Sequence, residues 1–201
     1  MGGRIILASK SPRRYELLNQ LGFDLEVVPS KVIENFIQKE SPRDHVLRLA
    51  ESKVKDVASR YPERWVIAAD TIVTINGSNL GKPKTREEAS EMLRSLSGRK
   101  HKVFTGFSVC HLKKGKADSE TVQTVVTMKT LAAAEIEWYV NTGEPFDKAG
   151  GYAIQGIGSF MIESIRGSYT NVVGLPLYEL IQMLNRLGAI SISESGLRIV
   201  P

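Results

Sequence analysis

A segment rich in hydroxyl and guanidinium groups is suited to binding phosphate. It reads Ser9-Lys10-Ser11-Pro12-Arg13-Arg14 and follows a short apolar run, 5–8. Ser11 and Pro12 are typical of a helix start, with the serine as N-cap. Backbone N–H groups at a helix N-terminus attract anions, and arginine can bind two phosphate oxygens at once. A solvated helix start would contain the same residues, so this segment alone leaves phosphate binding and a plain surface equally open.

A single carboxylate lies within an apolar predicted strand. Asp70 belongs to the run Trp65-Val66-Ile67-Ala68-Ala69-Asp70-Thr71-Ile72-Val73. A carboxylate in such surroundings is unfavourable unless it is paired, hydrogen-bonded or bound to a metal. Even a strand that ended at Ala69 would place Asp70 at its carboxyl end, where α/β proteins bind ligands. We therefore favour a functional role for Asp70 over a structural one, because buried titratable groups cluster at functional sites.

A lysine falls on the apolar side of the helix predicted from Ser41 to about Arg60. At about 100° per residue, Lys53 lies in the stripe that contains Leu49 and Val57. Its aliphatic stem could be buried with the ammonium group at the edge of the core. It could equally reach an anion bound in a cleft. The helical pattern leaves both interpretations open.

Three further segments offer polar groups. Gly81-Lys82-Pro83 is a tight bend with one cation, and Glu34 lies in a loop before the Ser41 helix. Residues 147–156 are rich in glycine, which allows the backbone to approach a ligand closely. Within them, the amide of Gln155 can both donate and accept hydrogen bonds at the edge of a base.

Composition narrows the class of protein. The chain of 201 residues has 27 Lys and Arg against 22 Asp and Glu, and this excess of +5 favours an anionic partner without choosing one. One cysteine excludes an internal disulfide, and three histidines without His-x-x-x-His spacing disfavour zinc. His101 and His111 are expected at the surface. No apolar run approaches the roughly 20 residues of a membrane helix, and no signal peptide follows Met1, so a cytoplasmic location without a membrane partner is expected.

Predicted strands and helices alternate along the chain. Strands are expected at 4–8, 25–28, 65–75, 102–112, 121–131 and 160–165, and helices at 12–21, 41–60, 86–97, 134–141 and 176–187. The two central strand segments are expected to form an antiparallel pair, and 144–159 to form a loop. This alternation predicts the α/β class, with a mixed central sheet and flanking helices. We expect one catalytic domain over 1–189 and a short, loosely held tail at 190–201.

Taken in order, these motifs resemble the Maf family of nucleoside triphosphate pyrophosphatases. The matching residues are 7–14, 69–71, 81–83, 147–152 and 168–176, and the likeness spans about residues 5–187. The run Ala153-Ile154-Gln155-Gly156 further resembles the branch that acts on dTTP and UTP. The resemblance implies a fold similar to that of inosine triphosphate pyrophosphatases, with a long cleft. It also implies cleavage between the α- and β-phosphates, with Mg²⁺ or Mn²⁺ as cofactor.

The resemblance also implies roles for individual residues. Asp70 corresponds to the catalytic acid–base residue of the family. Positions linked with substrate choice correspond to Arg13, Thr71 and Gln155. The phosphates would be lined by Ser9, Arg14, Lys53 and Lys82, and the metal would be held by Glu34, with Asp70 as a second candidate ligand.

Two other functions remain as alternatives. Some Maf relatives are associated with septum formation, and the charge of +5 would permit a non-catalytic nucleotide- or nucleic-acid-binding regulator. We disfavour a nucleic-acid partner because the sequence has no stripe of alternating aromatic and basic residues and no helix-turn-helix pattern. A purine-directed house-cleaning enzyme is the second alternative. The oligomeric state stays open, with a homodimer among the options.

Overall fold

The computed structural model describes residues 4–193 and 196–200. These residues divide into two compact units. The first unit contains the described residues up to Asp70, Thr105–Thr121 and the described residues from Gly174 onward. The second unit contains Thr71–Phe104 and Val122–Val173.

Helices and strands alternate as the sequence predicts. The helices are α1 (Pro12–Gln20), α2 (Pro42–Arg60), α3 (Arg86–Leu96), α4 (Ala133–Asn141), α5 (Tyr169–Val173) and α6 (Leu177–Arg186). The strands are β1 (Ile5–Leu7), β2 (Leu25–Val27), β3 (Val66–Ile75), β4 (Ser78–Leu80), β5 (Lys100–His111), β6 (Lys116–Met128), β7 (Ile162–Arg166), β8 (Ile190–Ser193) and β9 (Gly196–Ile199). Within the described residues, no helix is long and apolar enough to cross a membrane.

The main sheet is mixed. Its strand order is β2-β1-β3-β5-β6-β7, with β4 paired to β3. Strand β1 runs parallel to β2 and to β3, whereas β4 is antiparallel to β3 and β7 is antiparallel to β6. A four-residue turn joins β5 to its neighbour β6, and so short a connection makes them antiparallel. The predicted α/β class with a mixed central sheet and flanking helices is confirmed.

In the first unit, α2 packs closely on the sheet. Val54 and Val57 of α2 share a buried cluster with Ile6 of β1 and Val66 of β3. A Cβ atom added to Gly106 of β5 would lie only 2.4 Å from the backbone carbonyl of Val46 in α2. Only glycine permits this approach.

In the second unit, α3 and α4 form the core together with the strands. Buried side chains from α3 (Leu93, Leu96), α4 (Ile136, Tyr139) and the end of β3 belong to one cluster. The hydroxyl of Tyr139 also bonds the chain near residue 153. This core fixes the elements around the glycine-rich segment.

The predicted helix starts are correct in position, but their caps differ. Ser41 accepts from the N–H of Asp44, and Thr85 accepts from the N–H of Glu88, so both helices start with a side-chain cap. Ser11 stands at the N-cap of α1, yet its side chain makes no cap hydrogen bond. The predicted side-chain cap of α1 is therefore wrong, and Ser11 instead donates its backbone N–H to Ser9 Oγ.

Two expectations about burial and loops are wrong. His101 and His111 are buried, with 2% and 3% of their surface exposed. His101 Nε2 lies 2.6 Å from the hydroxyl of the buried Tyr152, and the ring of His111 packs edge-on against the buried ring of Trp65. The segment 144–159 contains three short 3-10 turns rather than plain loop, and the last one, Ile157–Met161, delays the predicted strand to Ile162.

The C-terminal segment contains a hairpin that the sequence did not predict. Strands β8 and β9 pair antiparallel, and Ile190 and Ile199 are buried. The indole Nε1 of Trp65 donates to the carbonyl of Val200 at 3.1 Å. The described part of the predicted tail is thus attached to the first unit, while residues 194, 195 and 201 lie outside the described residues.

Candidate functional site

The ammonium group of Lys53 contacts two carboxylates. Its Nζ donates to Asp70 Oδ1 at 2.7 Å and lies 2.5 Å from Glu34 Oε1. The Lys53 and Asp70 side chains are only 8% and 11% exposed, whereas that of Glu34 is 55% exposed. The three groups therefore form a charged cluster that is shielded at the Asp70 end and open to solvent at the Glu34 end.

Local sequence explains why the two buried members meet. Lys53 lies on the buried stripe of α2, next to Val54, as the helical period predicts. Strand β3 continues through Asp70 to Ile75, so the alternative of a strand that ends at Ala69 is wrong. A buried carboxylate requires a partner, and Lys53 provides it. The predictions that Lys53 lies on the apolar side of its helix and Asp70 in an apolar strand are confirmed.

A second cation, Arg14, is bound to the backbone around this cluster. Its Nε donates to the carbonyl of Gly174 at 2.7 Å, and its Nη1 donates to Ser9 Oγ at 3.1 Å and to the carbonyl of Ala69 at 2.8 Å. Burial lowers the pKa of Arg14, and the negative charge of Asp70 opposes that shift. Arg14 thus ties the start of α1 to the residue before Asp70 and adds positive potential there.

Glu34 lies in a segment without helix or strand that is attached to α2. Arg48 of α2 donates from Nη2 to the carbonyl of Asn35 at 3.0 Å and binds both carboxylate oxygens of Glu40, at 2.6 and 2.8 Å. His45 Nδ1 lies 2.9 Å from Glu40 Oε2. The hydrogen bond from Arg48 lowers the pKa of Glu40 to about 2. The sequence did not predict the network of Arg48, Glu40 and His45, because its only local sign is Glu40 directly before Ser41-Pro42.

For the remaining predicted site residues, the structure gives the position in the fold and the degree of exposure. Arg13 is the second residue of α1 and is partly buried. In the second unit, Thr71 follows in β3, Lys82 is exposed, and Gln155 is partly buried in the connection before the turn Ile157–Met161. The structure therefore brings Glu34 together with the buried Lys53–Asp70 pair, whereas the other roles stay predictions.

Comparison with known proteins supplies the family. Residues 4–187 match the family described as Maf-like protein. The chain belongs to the Maf family. The family resemblance predicted from the motifs is confirmed.

Relatives of this Maf-family chain share half of its residues. It is 50% identical to the dTTP/UTP pyrophosphatase of Syntrophus aciditrophicus over 190 residues, which cover 94% of this chain and 93% of the relative. Identity to the dTTP/UTP pyrophosphatase of Syntrophotalea carbinolica is also 50%, over 95% of this chain and 88% of the relative. Among solved structures, the Ham1 protein of Staphylococcus aureus aligns with a TM-score of 0.45 and 18% identity over 79% of each chain.

The donor set of the cluster fits a hard divalent cation. Glu34 and Asp70 both place a carboxylate oxygen on the same ammonium group, and carboxylates are the ligands that Mg²⁺ takes from proteins. Over residues 4–193 and 196–200, no group of three or more His, Cys, Asp or Glu residues could hold a metal. One or two carboxylates are nevertheless sufficient where phosphate oxygens and water complete the shell.

Proposed function

We propose that this Maf-family chain is a nucleoside triphosphate pyrophosphatase that hydrolyses dTTP and UTP to the nucleoside monophosphate and pyrophosphate. The observation that carries the proposal is the buried Asp70 carboxylate, held by Lys53 beside the solvent-open Glu34. The relatives named dTTP/UTP pyrophosphatase support the substrate.

The charges around Asp70 suit phosphoryl chemistry. A triphosphate carries about four negative charges, so its cleavage depends on positioning and on electrostatic stabilisation. Lys53 and Arg14 supply positive charge beside Asp70, and we assign Ser9, Arg13 and Lys82 to the same phosphates. Lys53 bonds Oδ1 of Asp70, which leaves Oδ2 to accept a proton.

Asp70 would act as the general base. Its Oδ2 accepts the proton of a water whose oxygen forms the new bond to the α-phosphorus. The bond between the α-phosphorus and the bridging oxygen breaks, and pyrophosphate leaves with that electron pair. Lys53 keeps the carboxylate oriented during this step.

Glu34 would hold the divalent cation, Mg²⁺ or Mn²⁺, and Asp70 is its second candidate ligand, as the alternative to the role of general base. When bound, such an ion neutralises phosphate charge. Because Lys53 contacts both carboxylates, its ammonium group would have to share them with the ion. Arg48 and Glu40 would keep the segment of Glu34 near α2 throughout.

Base selection is assigned to Gln155, with Thr71 and Arg13. Uracil and thymine present an N–H donor beside a carbonyl acceptor. The amide of Gln155 offers one acceptor and two donors and can match both groups. A single catalytic domain over 1–189, a homodimer and a cytoplasmic location stay predictions.

A product assay tests the proposal. Purified protein is incubated with dTTP, UTP, CTP, GTP and ATP, with Mg²⁺ or with EDTA, and nucleotide products and pyrophosphate are measured separately. We expect monophosphate and pyrophosphate in equal amounts from dTTP and UTP, and little activity with EDTA. Release of orthophosphate and a diphosphate would refute the cleavage position. Full activity with EDTA would refute the metal requirement.

A further inference from the structure

Tyr139 holds the chain just before Gln155. Its ring is fully buried in the core of the second unit, and its Oη accepts from the N–H of Ala153 at 3.2 Å. The same hydroxyl donates to Glu144 Oε1 at 3.1 Å. Burial raises the pKa of Tyr139, so the hydroxyl keeps the proton that it donates.

Glu144 holds the chain just after Gln155. Its Oε2 accepts from the N–H of Ile157 at 3.0 Å, and its Oε1 accepts from the N–H of Gly158 at 3.1 Å. Gly156 has a φ of +74°, and a Cβ atom there would lie 3.1 Å from Glu144 Oε2. The chain therefore turns tightly against this carboxylate.

Tyr139 and Glu144 together form a bracket around Gln155, the residue assigned to recognition of the pyrimidine ring. Residues 152–156 belong to no helix or strand, so no regular hydrogen-bonding ladder fixes Gln155. The anchors at 153, 157 and 158 all lead to Tyr139 and Glu144, which are bonded to each other. We propose that Tyr139 and Glu144 are positioning residues that fix Gln155 for base recognition and thereby set the selectivity for uracil and thymine; this inference rests on the proposed function.

A rigid segment around Gln155 should favour binding of uracil and thymine more than binding of other nucleobases. A site built to hydrogen-bond a substrate discriminates strongly only while its groups stay in place. A displacement of about 1 Å can lower the rate by about a hundredfold. Loosening the bracket should therefore reduce kcat/KM for UTP far more than kcat/KM for CTP, because cytosine presents a different donor–acceptor pattern.

Two variants weaken the bracket from opposite sides. Tyr139→Phe keeps the buried ring and removes the hydroxyl. Glu144→Gln replaces one accepting oxygen by an NH₂ group that faces a backbone N–H or the tyrosine hydroxyl. Glu137→Gln, on the exposed side of α4, makes the same chemical change away from the bracket and serves as the control.

The measurement is the ratio of kcat/KM for UTP to kcat/KM for CTP. We expect this ratio to fall about tenfold or more in both variants, mainly through KM for UTP, and to stay unchanged in the control. In a Gln155→Ala background, Glu144→Gln should lower the ratio no further, since coupled residues are not additive. Hydrogen exchange of residues 153–158 should be faster in both variants.

The outcomes separate this inference from the proposed function. If the unmodified protein does not prefer UTP over CTP, the proposed substrate and this inference both fail. If it does prefer UTP, an unchanged ratio in the folded variants overturns only the positioning role. Equal losses for both substrates would do the same, as expected for a merely structural bracket. Should one variant not fold, the other decides.

Discussion

The charged cluster makes a quantitative prediction for Lys53→Met. Methionine keeps most of the aliphatic stem inside the stripe of α2, so packing against Val54 and Val57 is largely retained. What disappears is the ammonium group that bonds Asp70 at 2.7 Å. The carboxylate of Asp70, 11% exposed, then loses this partner.

The size of the effect follows from the burial of the pair. Removing one partner of a fully buried ion pair costs about 3–5 kcal/mol. Here Arg14 still provides positive charge near Asp70, and the Glu34 end is open to solvent. We therefore expect the free energy of unfolding to fall by about 2–3 kcal/mol, in the range of a charged hydrogen bond. The value of kcat/KM should fall by about ten- to a hundredfold.

A double-mutant cycle measures this coupling. Urea unfolding is recorded for Lys53→Met, Asp70→Asn and the double variant, with the exposed Lys55→Met on the same helix as a control. We expect the double variant to be more stable than Lys53→Met alone, because no uncompensated carboxylate remains. Strictly additive losses, or a Lys53→Met protein as stable as the control, would refute the argument.

Three further changes test other parts of the molecule. Asp70→Asn should lower turnover by about 10²–10⁴-fold with an unchanged circular dichroism spectrum, and retained activity would make Asp70 a structural acid. In Arg14→Lys, the lysine cannot reproduce the three hydrogen bonds of the guanidinium group. The free energy of unfolding, measured in urea, should therefore fall by about 1–3 kcal/mol. An unchanged value would contradict the role of Arg14 in tying α1 to the residue of β3 that precedes Asp70. Burial lowers the pKa of His101 to about 4. The unfolded chain therefore binds a proton first as pH falls from about 6.5, and stability should drop towards pH 4 by up to about 3 kcal/mol. His101→Gln should remove that slope in unfolding measurements, and an unchanged slope would assign it to other groups.

Periodicity predicted the buried members of the site. The helical stripe placed Lys53 inward, and the apolar strand made a partner for Asp70 necessary. Neither pattern could show that each is the other's partner, because residues 17 apart in sequence have no fixed distance in space. Helix starts at Ser41 and Thr85 were predictable for the opposite reason, since their caps form within three residues.

Long-range contacts were beyond sequence reasoning. The residue type of Arg14 suggested phosphate, whereas its guanidinium group bonds carbonyls 55 and 160 positions away. The hydrogen bond from Arg48 to the carbonyl of Asn35 likewise reaches into a segment without periodicity. The prediction of a surface position for His101 was wrong because its ring contacts the buried Tyr152, 51 positions away. Such contacts arise from tertiary packing, which no local pattern contains.

The glycine beneath α2 limits which inherited changes the enzyme tolerates. A methyl group at Gly106 would meet backbone atoms of Val46 and Leu47, which cannot rotate away as a side chain would. The helix as a whole would have to lift from β5, and Lys53 would be carried with it, two turns along. A Gly106→Ala change would thus act as a loss-of-function allele. It would do so although Gly106 is remote in sequence from the charged cluster of Glu34, Lys53 and Asp70.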